Sequence, residues 1–163
     1  MNLVISDTSP VRALAFLGLL DLLKNLYGQV DVPPAVANEL LNGHGAVPKV
    51  DVLQISFMRI RTPQNISRVK HLLTILDAGE SEAIALALES NDALLLIDEL
   101  RGRSVAQQLS MDFTGTLGIL LRAKSAGLIA AVGPLIDQLQ RGLGFYISTR
   151  VKNHVLGLAG EIP

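Results

Sequence analysis

The chain contains no cysteine and no tryptophan in its 163 residues. Without cysteine there is no disulfide and no thiolate metal site. That absence fits a reducing compartment, and the expected location is cytoplasmic. Aromatic residues make up only 4%. The core must therefore be aliphatic, built from Leu, Ile, Val and Ala, and the Leu- and Ala-rich stretches favour helices. Neither sign of charge dominates, since the formal net charge is -1. A global positive field for polyanions is thereby excluded, and such a partner needs a local basic patch. Long apolar runs are missing too. The longest early one, Ala13 to Leu20, is too short to span a bilayer. It also fails as a secretion signal, because Asp7 and Arg12 precede it and no small-residue cleavage site follows. No membrane partner is expected.

What is present is aliphatic and ordered. Hydrophobic residues make up 49%. A chain of this length is expected to form one domain, residues 1–163, with a real core. So high an apolar share also leaves room for self-association, and a homo-oligomer, a dimer, is expected. Leu3-Val4-Ile5 reads as a short buried strand. Ser9-Pro10 then suits a helix start, with Ser9 as N-cap. Val11 to Leu26 reads as helix broken near Gly18, and Gly28 closes it. Val30-Asp31-Val32 is a strand stopped by Pro33-Pro34. The next helix carries Val36, Glu39 and Leu40 and ends near Asn42-Gly43. Residues 53–60 alternate loosely, as a strand would, and 67–76 suits a helix. The clearest helix is Glu80 to Ser90, apolar nearly all round, and Asp77 three residues before Glu80 resembles a capping box. Ala93 to Ile97 is a continuous apolar strand. Arg101 to Leu109, Thr116 to Ala126, Pro134 to Gln140 and Arg150 to Leu158 read as helices, with a brief strand near Met111. Buried strands alternating with helices predict an α/β class: a three-layer α/β/α domain around a mostly parallel sheet.

Four acids stand out by position. Asp7 and Asp98 each follow a buried strand, Glu39 lies on a helix just after a strand, and Glu80 opens the buried helix. Parallel strands bring such residues to one rim of a sheet, where α/β proteins bind ligands. Carboxylates gathered there either rise in pKa or take a cation. With oxygen donors alone, that cation is Mg²⁺ or Mn²⁺. Each acid also has a plainer role open to it. Asp7, Glu80 and Asp98 can cap helices, and Glu39 can be a solvated helix residue. Ser6, Thr8 and Ser9 can contact phosphate or simply cap. Arg101 and Arg103 can reach phosphates or face solvent. Arg59, Arg61, Arg68 and Lys70 form the remaining basic group. His44, His71 and His154 lack any metal-ligand spacing, and no phosphate loop occurs.

The order SDTSP, PPAVANEL, GESEAIALALES, ALLLIDELRGR and TLGILLRAKSAGLI resembles the PIN-domain nucleases, and more closely a PIN-like bacterial and archaeal group. The resemblance runs from Leu3 to about Glu161. It implies a metal-dependent ribonuclease that hydrolyses RNA phosphodiester bonds, of the kind often paired as toxin with an antitoxin protein. By the resemblance, Asp7, Glu39, Glu80 and Asp98 match the family's acidic residues. Asp7, Glu80 and Asp98 would hold the metal, with Glu82 and Glu99 able to replace their neighbours. Ser6, Thr8, Ser9, Arg101 and Arg103 would serve the substrate. One departure is a missing hydroxyl: Leu96-Ile97-Asp98 stands where the family has Thr-x-Asp. The competing reading is a PIN fold that binds RNA or a partner without cutting. A phosphatase is disfavoured, because Thr8-Ser9 follows Asp7 and no DxD pair exists.

Overall fold

Short apolar segments build the centre of the molecule. The computed structural model describes residues 3–162. β1 (Leu3–Ser6), β2 (Val30–Val32), β3 (Met58–Ile60), β4 (Ala93–Leu96) and β5 (Asp112–Thr114) form one sheet in the order β3-β2-β1-β4-β5. All four strand pairs are parallel. Nine helices among the described residues cover the two faces: α1 (Thr8–Phe16), α2 (Asp21–Tyr27), α3 (Pro34–Leu40), α4 (Ile66–Leu72), α5 (Ala78–Ala87), α6 (Leu100–Gln108), α7 (Thr116–Ser125), α8 (Gly133–Gly142) and α9 (Thr149–Leu158). The domain is thus three-layered α/β/α.

In a parallel sheet, residues in register share a face. Val4, Leu94, Leu96, Val30, Val32 and Met58 pack with α1, α2, α3 and α7. Ile5, Leu95 and Ile97 pack with α4, α5 and α6. Asp31, in register with Ile5 and Arg59, is the exception on that face. It is buried, and Arg59 grips it through Nε at 3.0 Å and Nη2 at 2.9 Å, with Arg61 at 3.5 Å. A paired guanidinium of this kind makes a buried carboxylate tolerable.

The chain runs β1, β2, β3 to one side and then crosses back to lay β4 and β5 on the other. The direction of progress therefore reverses between β1 and β4. That switch point opens a crevice at the carboxyl ends of these two strands. The connection in register is tight, with Ser6 opposite Leu96 and the Asp7 N–H on the Leu96 carbonyl at 2.9 Å.

Local details differ from the sequence expectations for physical reasons. Helix α1 begins at Thr8 with Asp7 in the N-cap position, two residues earlier than Ser9. The strand expected over 53–60 shortens to β3. The Asp51 side chain accepts the Leu53 N–H and turns Val52–Gln54 into one 3-10 turn instead. The carboxyl end of the chain is pinned. Glu161 bonds Lys124 Nζ at 2.8 Å and the N–H groups of Val132 and Gly133, both at 2.8 Å, at the start of α8.

Candidate active site

The crevice at the switch point is a cleft of about 1000 Å³. Asp7, Glu39, Asp77, Asp98 and Glu99 line it, together with Thr8, Ser9, Arg12 and Arg103. Asp7 enters from the end of β1. It is buried, and it makes no well-formed capping bond to α1. Burial pushes its carboxyl up to about 8, and the charges of Asp77, Glu80 and Glu39 push the same way. The nearby Thr8 N–H lowers it without offsetting these. Glu80 is buried beside α6, and burial followed by the charge of Asp77 raises its pKa. The charge of Glu99 raises it further, while Arg101 works the other way.

Gly79 shows how closely two of these acids converge. A Cβ placed on it would lie 3.1 Å from Asp7 Oδ1 and 3.1 Å from Glu39 Oε1. The first turn of α5 therefore presents bare backbone where two carboxylates meet. Hydroxyls hold the outer acids in place. Thr8 Oγ1 donates to Glu39 Oε2 at 2.6 Å. Ser9 Oγ donates to Asp98 Oδ2 at 3.0 Å, and Thr116 Oγ1 to the same oxygen at 2.6 Å. The Thr116 N–H takes Asp98 Oδ1 at 2.7 Å, so Asp98 caps α7, a helix distant in sequence. Gly115 permits this, because a Cβ there would sit 2.6 Å from Asp98 Oδ1.

The expected site residues separate into two groups. Asp7, Glu39, Asp98, Glu99, Thr8, Ser9 and Arg103 line the cleft. Glu80 lies behind that lining and acts on it through charge. Glu82 instead accepts the Ala35 N–H at 3.2 Å, at the start of α3. The Ser6 hydroxyl is buried and donates to the Asp7 carbonyl at 2.8 Å. Arg101 donates to the Ile75 carbonyl at 3.3 Å and stays exposed. Arg59 and Arg61 are committed to Asp31 on the far side of the sheet, toward the edge strand β3. His154 lies in the cleft wall on α9.

Sequence reasoning missed four contributors. Asp77 caps α5 by accepting the Glu80 N–H at 2.8 Å, as expected, yet it also lines the cleft. Its spacing to Glu80 signalled the cap and nothing more. Thr116, Gly79 and Gly115 carry none that a single chain displays.

All donors here are oxygens, which suits a hard divalent cation. Asp7, raised to about 8 by burial and like charge, is the acid such a cation would relieve. Among the described residues no three His, Cys, Asp or Glu side chains form a ready coordination sphere. Glu39 and Asp98 spend oxygens on Thr8, Ser9 and Thr116.

A parallel α/β/α sheet with acids at its switch point defines a class of α/β domain whose ligand crevice suits a divalent cation. A family model described as a PIN domain matches residues 3–161, nearly the whole chain, and the chain belongs to that family. PIN domains are generally nucleases and usually use divalent metal ions. No curated protein matches the chain. No helix among the described residues is long and apolar enough to cross a membrane.

Proposed function

We propose that this PIN domain, residues 1–163, is a Mg²⁺- or Mn²⁺-dependent endoribonuclease that hydrolyses RNA phosphodiester bonds. The proposal makes it a cytoplasmic protein, the toxin half of a pair whose other half is an antitoxin protein. The observation that carries the catalytic reading is the convergence of Asp7 and Glu39 over Gly79, at the sheet's switch point. A domain that only bound a partner would have no physical need to bury Asp7 among other acids.

Asp7 and Glu39 would hold the cation, with Asp98 and Asp77 at its margins and Glu80 adding negative charge from behind. When bound, the cation supplies a Lewis acid for the phosphoryl oxygens and lowers the pKa of water. Thr8 keeps Glu39 turned toward the cleft, and Ser9 with Thr116 keeps Asp98 there. Such hydroxyl supports hold ligands at a productive angle. Arg103, stacked over Phe113 at 5.4 Å, is placed to take a phosphate. The exposed side chains of Leu100 at the start of α6, Tyr146 before α9, and Val151 and Leu158 on α9 also line this cleft and offer an apolar wall for a protein partner.

The test is cleavage of a fluorescent single-stranded RNA with Mg²⁺, with Mn²⁺ and with EDTA. The expected result is cleavage with either ion, none in EDTA, and none by Asp7→Asn. Cleavage by Asp7→Asn at the wild-type rate would remove this site from the reaction.

A further inference from the structure

Arg12 is a cation without an anion. It sits on α1 four residues after Thr8 and three after Ser9, hence on the helix face that meets the cleft. Its Nη2 donates to the Glu39 carbonyl at 2.8 Å, near the end of α3. Its Nε is buried with no partner. It belongs to none of the four ion pairs found among the described residues, although Glu39 is its neighbour. Arg59, Arg61, Lys124 and Lys152 are all paired. An Arg kept only to cap a carbonyl needs one N–H, and with Nε enclosed the fork still has the Nη1 N–H groups and the second on Nη2 to give. The cleft lining holds five carboxylates and only two Lys or Arg side chains, Arg12 and Arg103. Arg12 adjoins Glu39, and Arg103 adjoins Gly115 and Asp98. The two permanent positive charges therefore bracket the acids.

We propose that Arg12 is a phosphate anchor, holding a phosphodiester group of the RNA strand on the Glu39 side of the acids while Arg103 serves the Asp98 side. This deepens the ribonuclease reading and rests on it. A polyanion crossing an acidic rim is repelled unless fixed cations flank the point of attack. Guanidinium suits the task because it stays charged and binds phosphate through two N–H groups at once.

The experiment measures binding of a fluorescent single-stranded RNA by anisotropy across a salt series. It uses the Asp7→Asn protein, so that the strand stays intact. Arg12→Gln should weaken binding about tenfold at low salt and flatten the log Kd against log salt slope by about 0.7, one phosphate contact. Arg12→Lys should keep the slope and bind several-fold more weakly. Lys24→Gln, on an exposed position of α2 outside the cleft, should match the parent. An unchanged slope and affinity in Arg12→Gln overturns the anchor while leaving the ribonuclease reading standing. Equal loss in Arg12→Lys and Arg12→Gln marks a structural cap and overturns it as well. If Arg12→Gln does not fold, Arg12→Lys decides: parent-level affinity overturns the anchor. Failure of the parent itself to bind RNA overturns both readings together.

Discussion

Asp7 is an acid held in a place that suits its neutral form. Its pKa is raised from 3.8 to about 8, first by burial and then by the charges of Asp77, Glu80 and Glu39. The sign for stability follows from proton counting. Between 3.8 and about 8 the folded state keeps a proton that the unfolded chain has lost. Stability of the metal-free protein therefore falls as pH rises through that window. Asparagine imitates the neutral acid at every pH. Without metal, Asp7→Asn should melt higher than the parent at pH 8 to 9, and the gap should shrink toward pH 4, the unfolded value. A thermal melt series in EDTA reads this directly. A gap of the same size at every pH would mean that the Asp7 carboxylate is not strained. Asp98 is surrounded by hydrogen bonds instead. The hydroxyl missing at Leu96 relative to the usual Thr-x-Asp is answered by Ser9 and Thr116, which come from other elements.

At the level of elements, much of the chain was readable. Continuous apolar runs mark β1 and β4, two valines before Pro33-Pro34 mark β2, and the all-round apolar pattern of residues 83–88 marks α5 as buried. Local polar competition limited the rest, as where Asp51 draws Leu53 into a turn. The order of the strands was not readable, since it depends on which faces pack in three dimensions. Asp77 shows the same limit in one residue, for its capping role is local and its place in the cleft is not. Gly79 makes a test of what α5 is for. Alanine in a helix gains about 1 kcal/mol over glycine. A methyl here would stand 3.1 Å from both Asp7 and Glu39. The helix gain and the crowding oppose each other, so Gly79→Ala should still fold, with a small change in melting temperature, while losing about 10- to 100-fold in metal-dependent cleavage, the range of losses when ligand positioning is disturbed. The C-terminal latch is a separate element. Glu161 is held down to about 2, first by Lys124 and then by the Val132 and Gly133 N–H groups. A depressed acid adds stability above its unfolded value of 4.5 and loses it as pH falls toward 2. Glu161→Gln should lower the melting temperature at pH 7, and the difference from the parent should vanish between pH 4.5 and 2.

At the scale of the whole molecule, the proposed site would couple folding to the cation. The parent protein carries clustered negative charge that only protonation or a bound ion relieves. A ligand that binds the folded state alone stabilises it by about 2.7 kcal/mol at a hundredfold excess over its Kd. For a chain of this size each 1 kcal/mol is worth about 2–4 °C. Mn²⁺ at such an excess should thus raise the melting temperature by roughly 5–10 °C. A cation held by Asp7 would compete with its proton, and the value of that carboxyl is about 8. Binding therefore releases a proton below pH 8, and the apparent affinity should fall about tenfold for each pH unit below it. The shift should be largest at pH 8 to 9, small at pH 6, and absent in Asp7→Asn at every pH. Differential scanning fluorimetry with Mn²⁺ and Mg²⁺ titrations at three pH values measures all three. An equal thermal shift in Asp7→Asn would locate the stabilising ion away from the switch point and separate the fold's acid cleft from its metal chemistry.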